Sequence, residues 1–223
     1  MFNFVKTIDF PEPKVLEENG VRYYRFANQD KYYPSVTSVT SVRSKQSIME
    51  WRKRVGEEEA NKVSARATSR GTAFHSLAEK YLNGTLSIKE NDHPLAWYMF
   101  TSAKSTLDRI NNIYCLETPM WSDFLGLAGR VDCIAEFDGE LAVIDFKTST
   151  KNKEEQWIEN YFVQETAYAA MFLERTGLEV KKIVTLIAVE EGTVQIFEKH
   201  NLDDYLQLLK SYIEEFVRGK LNE

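Results

Sequence analysis

The sequence predicts an α/β domain built around a mixed β-sheet that is flanked by helices. Helical periodicity dominates the first half of the chain, whereas strand-like segments dominate residues 113–200. In that second region a helix of about 20 residues separates two groups of strands, as expected of a crossover connection. The 223 residues and the hydrophobic content of 43% are sufficient for one substantial core, so we expect a single domain over residues 1–223.

The N-terminal part, residues 1–112, begins with a predicted hairpin. Residues 20–33 have the aromatic content and polar alternation of paired strands, and the "PSVTSVTS" that follows is expected to be an extended entry into a helix. Ser47 and Glu50 have the spacing of a capping box. This spacing predicts a helix that begins at Ser47 and covers "SIMEWRKRVGEEEANKV".

Two further helices are predicted before the sheet. The segment "GTAFHSLAEKYL" is helical in pattern, and Gly84 is the glycine expected just beyond its C-terminus. A third helix is predicted for residues 95–113. Its apolar side chains at helical spacing are Trp97, Phe100, Ala103, Leu107 and Ile110.

The core part, residues 113–200, contains five predicted strands and one long helix. The strands are "IYCLETPMW", "GRVDCIAEF", "ELAVIDFK", "KKIVTLIAVE" and "TVQIFEK". Asp138-Gly139 is a tight-turn signal between the second and third strands. The helix "KEEQWIENYFVQETAYAAMFLER" separates the third strand from the fourth, and residues 201–223 form an amphipathic C-terminal helix.

The composition limits the classes of partner and cofactor. A net charge of −6 argues against a generally basic, duplex-coating surface, so any nucleic-acid contact must lie in a local groove. The two cysteines, Cys115 and Cys133, form no C-x-x-C pair, which favours a reduced intracellular protein with neither zinc nor an iron–sulfur cluster. Without a signal-like N-terminus or a long apolar run, we expect a cytoplasmic protein with no membrane partner.

An acid and a base lie on one predicted strand, in "VIDFKTST". If the Asp138-Gly139 turn joins its strand to the preceding one, facing residue numbers sum to 277, because Phe137 faces Glu140. Asp132 then lies opposite Asp145, and Lys147 lies on the same face, opposite Arg130. Two carboxylates at about 5 Å repel each other unless a cation compensates them.

Two converging carboxylates beside an ammonium group suit Mg²⁺ or Mn²⁺, which prefer oxygen ligands and bind substrate phosphate. The chemistry that this predicts is phosphodiester hydrolysis. Lys147 would orient the attacking water or stabilise the charged transition state. The alternative interpretation is a simple Asp–Lys ion pair on a solvated strand face.

Four motifs in order resemble the PD-(D/E)XK nucleases, and in particular their RecB-like exonuclease branch. "GRVD" and "IDFKT" resemble the core motifs, "GTAFH" the preceding helix, and "QETAY" the following helix. The segments "YPSVTSVTS" and "MEWRKR" are also similar to the N-terminal part of such proteins, so the resemblance covers roughly residues 34–172. It implies a restriction-endonuclease-like fold with a helical region over the active site.

The resemblance also implies a set of site residues. His75, Asp132 and Asp145 would be metal ligands, with the Phe146 carbonyl as a fourth, and Lys147 would be the catalytic lysine. Glu117 is similar to an acidic residue near a second metal. Residues implied to contact DNA are Gln164, Tyr168, Thr148, Ser149, Arg70, Ser35 and Thr37. The alternative for His75 is a helix histidine with an ordinary hydrogen-bond partner. The alternative for Gln164 and Tyr168 is a half-buried amphipathic face, and that for Arg70, Ser35 and Thr37 is surface solvation.

Together these features predict a metal-dependent DNA exonuclease that acts on single-stranded ends or flaps, with helices that enclose a single strand. The alternatives are a structure-specific endonuclease, a non-catalytic DNA-binding or scaffold protein on the same fold, and a nucleotide phosphohydrolase. The sequence contains no helicase P-loop, so strand separation would need a partner, for example a replication or recombination protein.

Overall fold

The computed structural model describes residues 2–6, 8–27, 29–87 and 92–221. The N-terminal part contains a small antiparallel sheet followed by four helices. The strands are β1 (Lys14–Glu18), β2 (Val21–Arg25) and β3 (Tyr33–Pro34). The helices are α1 (Val36–Thr40), α2 (Lys45–Val55), α3 (Glu57–Leu82) and α4 (Pro94–Leu107).

A five-stranded mixed sheet forms the centre of the molecule. The elements of this part are β4 (Ile110–Ser122), β5 (Leu127–Phe137), β6 (Glu140–Ser149), α5 (Glu159–Thr176), β7 (Lys182–Val189), β8 (Val194–Lys199) and α6 (Asp203–Leu221). The strand order is β4-β5-β6-β7-β8, and only β6 and β7 are parallel. Because α5 connects these two strands, the predicted mixed sheet and crossover helix are confirmed.

Helices cover both faces of the sheet because its strands direct apolar side chains to both sides. On β6, Val143 packs in the layer of α5 and α6, whereas Ile144 packs in the layer of α3 and α4. The short α1 joins the first layer through the buried Val36 and Val39. None of the helices in the described ranges has the length and apolar character needed to cross a membrane.

The predicted register between β5 and β6 is confirmed where the two strands pair. Asp138 and Gly139 both have positive φ, as a two-residue hairpin turn requires, and the ladder runs from Phe137/Glu140 to Cys133/Ile144. It stops one pair short of Asp132 and Asp145, and beyond that point the two strands separate. The predicted pairing of Arg130 with Lys147 is therefore wrong. Arg130 pairs only with Pro119, on the opposite neighbour β4.

Two helix predictions need correction in the N-terminal part. In "PSVTSVTS" only Pro34 and Ser35 are extended, because the Ser35 hydroxyl accepts a hydrogen bond from Ser38 N at 3.0 Å and caps α1, which begins at Val36. The predicted capping box is also absent from α2, which begins at Lys45. The Ser47 hydroxyl instead donates to the Ser44 carbonyl, so it is not free to cap the helix.

Other boundaries differ because glycine and strand pairing override helical periodicity. Gly56, at φ 88°, separates α2 from α3, and α3 then continues without a break through the "GTAFH" segment to Leu82. Gly84, at φ 76°, follows its end as predicted. Ile110 lies in β4 rather than in the predicted helix, because it pairs with Phe137. The pairing of β2 with β3 confirms the predicted hairpin, but β1 was not predicted.

A close contact between β5 and α5 generates a stability prediction. A Cβ atom added at Gly129 would lie 2.5 Å from the Tyr168 hydroxyl and 2.9 Å from a ring carbon. We expect Gly129→Ala to lower the free energy of unfolding by about 1–3 kcal/mol, since overpacking forces the ring or strand to move. Chemical denaturation measures this loss, and it should be smaller in a Tyr168→Phe background.

Gly219→Ala is the matched control, because a Cβ there on α6 meets no atom within 4 Å. This change should stabilise the protein slightly, since alanine is the better helix former. If Gly129→Ala costs the same in the wild-type and Tyr168→Phe backgrounds, the contact with the hydroxyl is not the cause.

Candidate active site

Three carboxylates lie side by side on three neighbouring strands. Glu117 is located between the pairs Leu116/Cys133 and Thr118/Val131 of the β4–β5 ladder, which places it level with Asp132. Continuation of the β5–β6 register places Asp132 level with Asp145. Paired strands are about 4.8 Å apart, so the β4–β5 ladder brings the like charges of Glu117 and Asp132 together, and Asp145 follows on β6 just beyond the last β5–β6 pair.

His75 joins this row from α3, which packs on the face opposite to α5. Its Nδ1 atom lies 3.6 Å from Glu117 Oε1 and 3.7 Å from Asp132 Oδ2. One ligand atom from each of His75, Glu117 and Asp132 lies within 4.8 Å of the others. An imidazole and two carboxylates at this spacing fit a divalent cation such as Mn²⁺ or Mg²⁺.

The charges around His75 show how strongly this position favours a cation. Burial lowers its pKa, but the charge of Asp132 and the hydrogen bond with Glu117 outweigh burial and raise the pKa of His75 to about 9. The imidazole thus takes up a proton between the two carboxylates. A bound divalent cation would supply that positive charge instead and would compete with the proton.

Glu117 reaches the site through an unusual backbone conformation. Its φ is 46°, in the left-handed region that costs a non-glycine residue roughly 1–3 kcal/mol. The Thr118 hydroxyl satisfies both backbone polar groups of Leu116 beside this residue, because it accepts a hydrogen bond from Leu116 N and donates one to the Leu116 carbonyl, both at 3.1 Å. The irregularity directs the Glu117 side chain towards His75.

Asp132 lies where β5 and β6 separate and forms a hydrogen bond across the gap between them. Its Oδ2 atom accepts a hydrogen bond from Phe146 N at 2.7 Å, so a side chain replaces the ladder bond that ends at Cys133/Ile144. The Phe146 ring packs edge-on against His75, with 6.2 Å between ring centroids. Phe146 thus helps to position two of the candidate ligands, and metal binding by its carbonyl stays a prediction.

The Asp145 carboxylate contacts two polar side chains of the protein, Gln164 and Lys147. Its carboxylate is 2% exposed, accepts a hydrogen bond from Gln164 Nε2 at 2.9 Å, and forms an ion pair with the Lys147 ammonium. Burial raises the pKa of Asp145, Lys147 opposes this, and the charge of Asp132 adds to it. Its role as a metal ligand therefore stays a prediction, because the compact cluster consists of His75, Glu117 and Asp132.

Lys147 carries a firm positive charge at the edge of this cluster. Burial lowers the pKa of its ammonium, but Asp145 and Asp132 more than offset burial and raise the pKa above its ordinary value. A protonated lysine cannot act as a general base. Both roles that we predicted for Lys147, orientation of the attacking water and stabilisation of the charged transition state, are compatible with a protonated ammonium.

Comparison with known proteins identifies the family. Residues 48–222 match the sequence model of the PD-(D/E)XK nuclease superfamily. The chain belongs to this superfamily. The predicted resemblance and the restriction-endonuclease-like fold are thereby confirmed, and the mixed sheet with helices on both faces is consistent with that fold.

Individual relatives of this superfamily member carry the name of an exonuclease. The chain is 27% identical over 214 residues to human mitochondrial genome maintenance exonuclease 1, across 87% of this chain and 61% of the human protein. The mouse protein of that name is 32% identical over 133 residues, which cover 54% of this chain and 38% of the mouse protein. The chain thus spans less than two thirds of either relative. A solved structure of a candidate exonuclease from Eubacterium rectale aligns with a TM-score of 0.48 at 15% identity, over 68% of this chain and 66% of that one.

The residues that were predicted to contact DNA are mostly buried. The buried members of this set are Gln164, Tyr168, Ser149, Arg70 and Ser35. Arg70, for example, bonds Thr148 Oγ1 at 3.1 Å and pairs with Glu190. Their burial favours supporting roles, and direct contact with DNA stays a prediction for them. Thr37 is exposed and Thr148 is half-buried.

The sequence analysis missed two site residues on α5. Tyr161 lies under the Lys147 ammonium, with 5.0 Å from Nζ to the ring centroid. Glu165 is completely buried and accepts a hydrogen bond from the hydroxyl of Thr185, the β7 partner of Asp145. Both are spaced three or four residues from Gln164 or Tyr168 along the helix, which is the signal that could have identified them.

Glu165 generates a pH prediction. Burial, and secondly the charge of Asp145, raise its pKa well above the ordinary value, so the folded state binds this proton more tightly than the unfolded state. Stability from this group is then lost as pH rises above the unfolded pKa of about 4.3 towards the folded pKa. Glu165→Gln should therefore gain stability relative to wild type from about pH 5 to pH 8.

Denaturant titrations across this pH range test the prediction. Glu154→Gln, on the exposed segment before α5, provides the baseline for loss of a surface carboxylate. A stability difference between Glu165→Gln and wild type that is constant with pH would contradict the assignment of a protonated buried carboxyl.

Proposed function

We propose that this nuclease is a metal-dependent deoxyribonuclease, an exonuclease that hydrolyses phosphodiester bonds at single-stranded DNA ends or flaps. The observation that carries the proposal is the cluster of His75, Glu117 and Asp132 beside the Asp145–Lys147 pair. Nuclease family membership and the exonuclease names of the human and mouse relatives support it.

The residues of the site divide the work between cation binding and charge stabilisation. A bound Mg²⁺ or Mn²⁺ lowers the pKa of water and neutralises charge on a phosphate. His75, Glu117 and Asp132 would hold it, with Asp145 completing the site. Lys147, kept protonated by Asp145, would place its ammonium against the negative charge that develops on the scissile phosphate.

Gln164 and Tyr161 would keep the charged pair in place during this step. The Gln164 amide holds one oxygen of Asp145, which leaves the other for Lys147. The Tyr161 ring lies against the ammonium and restricts its position. A fixed donor costs less reorganisation in the transition state than a mobile one.

The exposed parts of the N-terminal helices are candidates for contact with a DNA backbone. α3 delivers His75 to the site, yet its N-terminal residues 57–69 are exposed except for Ala60, and α2 has no buried residue. These two elements thus project beyond the packed layers. α2 has four basic residues and one acidic residue within an acidic protein, which suits a local backbone contact.

Removal of the lysine ammonium tests the catalytic proposal. We expect Lys147→Ala to reduce cleavage of single-stranded DNA by a factor of roughly 10²–10³ or more, with Mn²⁺ and DNA binding retained. Lys151→Ala, an exposed lysine four residues along the chain, is the matched control and should cleave normally. Comparable cleavage by both variants would exclude Lys147 from the reaction.

The requirement for a free end is a separate prediction. With Mg²⁺ or Mn²⁺, end-labelled linear single-stranded DNA should be degraded while covalently closed single-stranded circles persist. EDTA should prevent the degradation of the linear strand. Circles cut as fast as linear strands would instead indicate an endonuclease. Tight DNA binding by well-folded wild type without any cleavage would indicate a non-catalytic DNA-binding protein.

A further inference from the structure

The strained backbone at Glu117 is held by an arginine that does not itself reach the metal-site cluster. Arg130 lies two residues before Asp132 on β5 and opposite Pro119 on β4. Its Nη1 donates a hydrogen bond to the Glu117 carbonyl, and its Nη2 donates to Glu12 Oε2 at 2.6 Å. One guanidinium thus joins the backbone of a candidate ligand to the N-terminal segment.

Arg130 donates to the carbonyl of Glu117 itself, the residue with the left-handed backbone conformation. This carbonyl belongs to the peptide group that joins Glu117 to Thr118. A donor fixed on that carbonyl restrains rotation of the peptide plane between Glu117 and Thr118. That plane and the φ of 46° together determine where the Glu117 carboxylate lies relative to His75. Without the arginine, the backbone could relax to an ordinary strand conformation, in which Glu117 would point elsewhere.

We propose that Arg130 is a positioning residue that sets the geometry of the metal site through the Glu117 backbone. The proposal rests on the proposed metal-dependent function. Glu12, whose side chain is 71% exposed, is the outer partner of the guanidinium, and the bond to Glu117 does not require it. Arg130 differs from Lys147 because it contacts a carbonyl of the protein and acts only through Glu117.

Loss of the Arg130 charge and loss of its hydrogen bond to Glu117 are expected to change the metal affinity in opposite directions. A cation near a divalent metal repels it, so its loss by charge alone would strengthen metal binding. Loss of a supporting hydrogen bond to a ligand residue typically weakens metal binding by about 10- to 100-fold. The direction of the change therefore separates the two effects.

The experiment is calorimetric titration of the full chain with Mn²⁺, alongside thermal unfolding in EDTA to verify that each variant folds. We expect Arg130→Met to weaken Mn²⁺ binding about 10- to 100-fold. Arg130→Lys should also weaken it, although the charge is kept, because a flexible ammonium restrains the Glu117 carbonyl less than a planar guanidinium does. Glu12→Gln should leave the affinity nearly unchanged, since it removes only an exposed pair.

Each outcome gives a distinct conclusion. Unchanged or tighter Mn²⁺ binding by both Arg130 variants, with wild type binding normally, would overturn the positioning role. If wild type itself binds no Mn²⁺ and Asp132→Asn behaves identically, the metal-dependent function fails, and the inference fails with it. Should Arg130→Met not fold, Arg130→Lys provides the same test with the charge and most of the side-chain volume preserved.

Discussion

Repulsion among three carboxylates is the constraint on which the rest of this structure depends. Glu117, Asp132 and Asp145 come from three adjacent strands, and Asp132 and Asp145 lie just beyond the last pair of the β5–β6 ladder. Such an arrangement is unfavourable unless cations lie close by. Lys147 provides such a charge beside Asp145, and His75 provides one beside Asp132 when its imidazole is protonated.

The separation of β5 from β6 lets both helical layers reach the same point. While the two strands are paired, side chains on opposite faces of the sheet cannot meet. Beyond Cys133/Ile144 the Asp132 carboxylate takes the place of a backbone acceptor, and His75 of α3 approaches from one face while Gln164 of α5 approaches Asp145 from the other. The site is thus a consequence of where the ladder ends.

Much of this arrangement could be predicted from the sequence. The two-residue turn at Asp138-Gly139 leaves one register for β5 and β6, and this register alone places Asp132 level with Asp145. The fold class followed from a different feature, the long helix between the third and fourth predicted strands, because such a helix indicates a crossover.

Other features depend on tertiary contacts that no local pattern encodes. Gly56 ends α2 although the surrounding residues favour helix, and Ile110 joins β4 because Phe137 is available to pair with it. The bond between Gln164 and Asp145 spans 19 residues, and the left-handed conformation of Glu117 depends on side chains on its own and neighbouring strands. Sequence spacing cannot show either, because both require knowledge of how the strands separate.

The positions of Glu117 and Asp132 on paired strands also affect how much the amino-acid sequence can change while the two carboxylates stay close. The distance between the strands that carry Glu117 and Asp132 is fixed by backbone hydrogen bonds, which every residue type except proline can make. Substitutions elsewhere in the sheet leave that distance intact provided that they keep the alternation of apolar side chains. The spacing of these two strands can therefore outlast the replacement of most residues around it, whereas the direction of the Glu117 side chain also depends on Thr118 and Arg130.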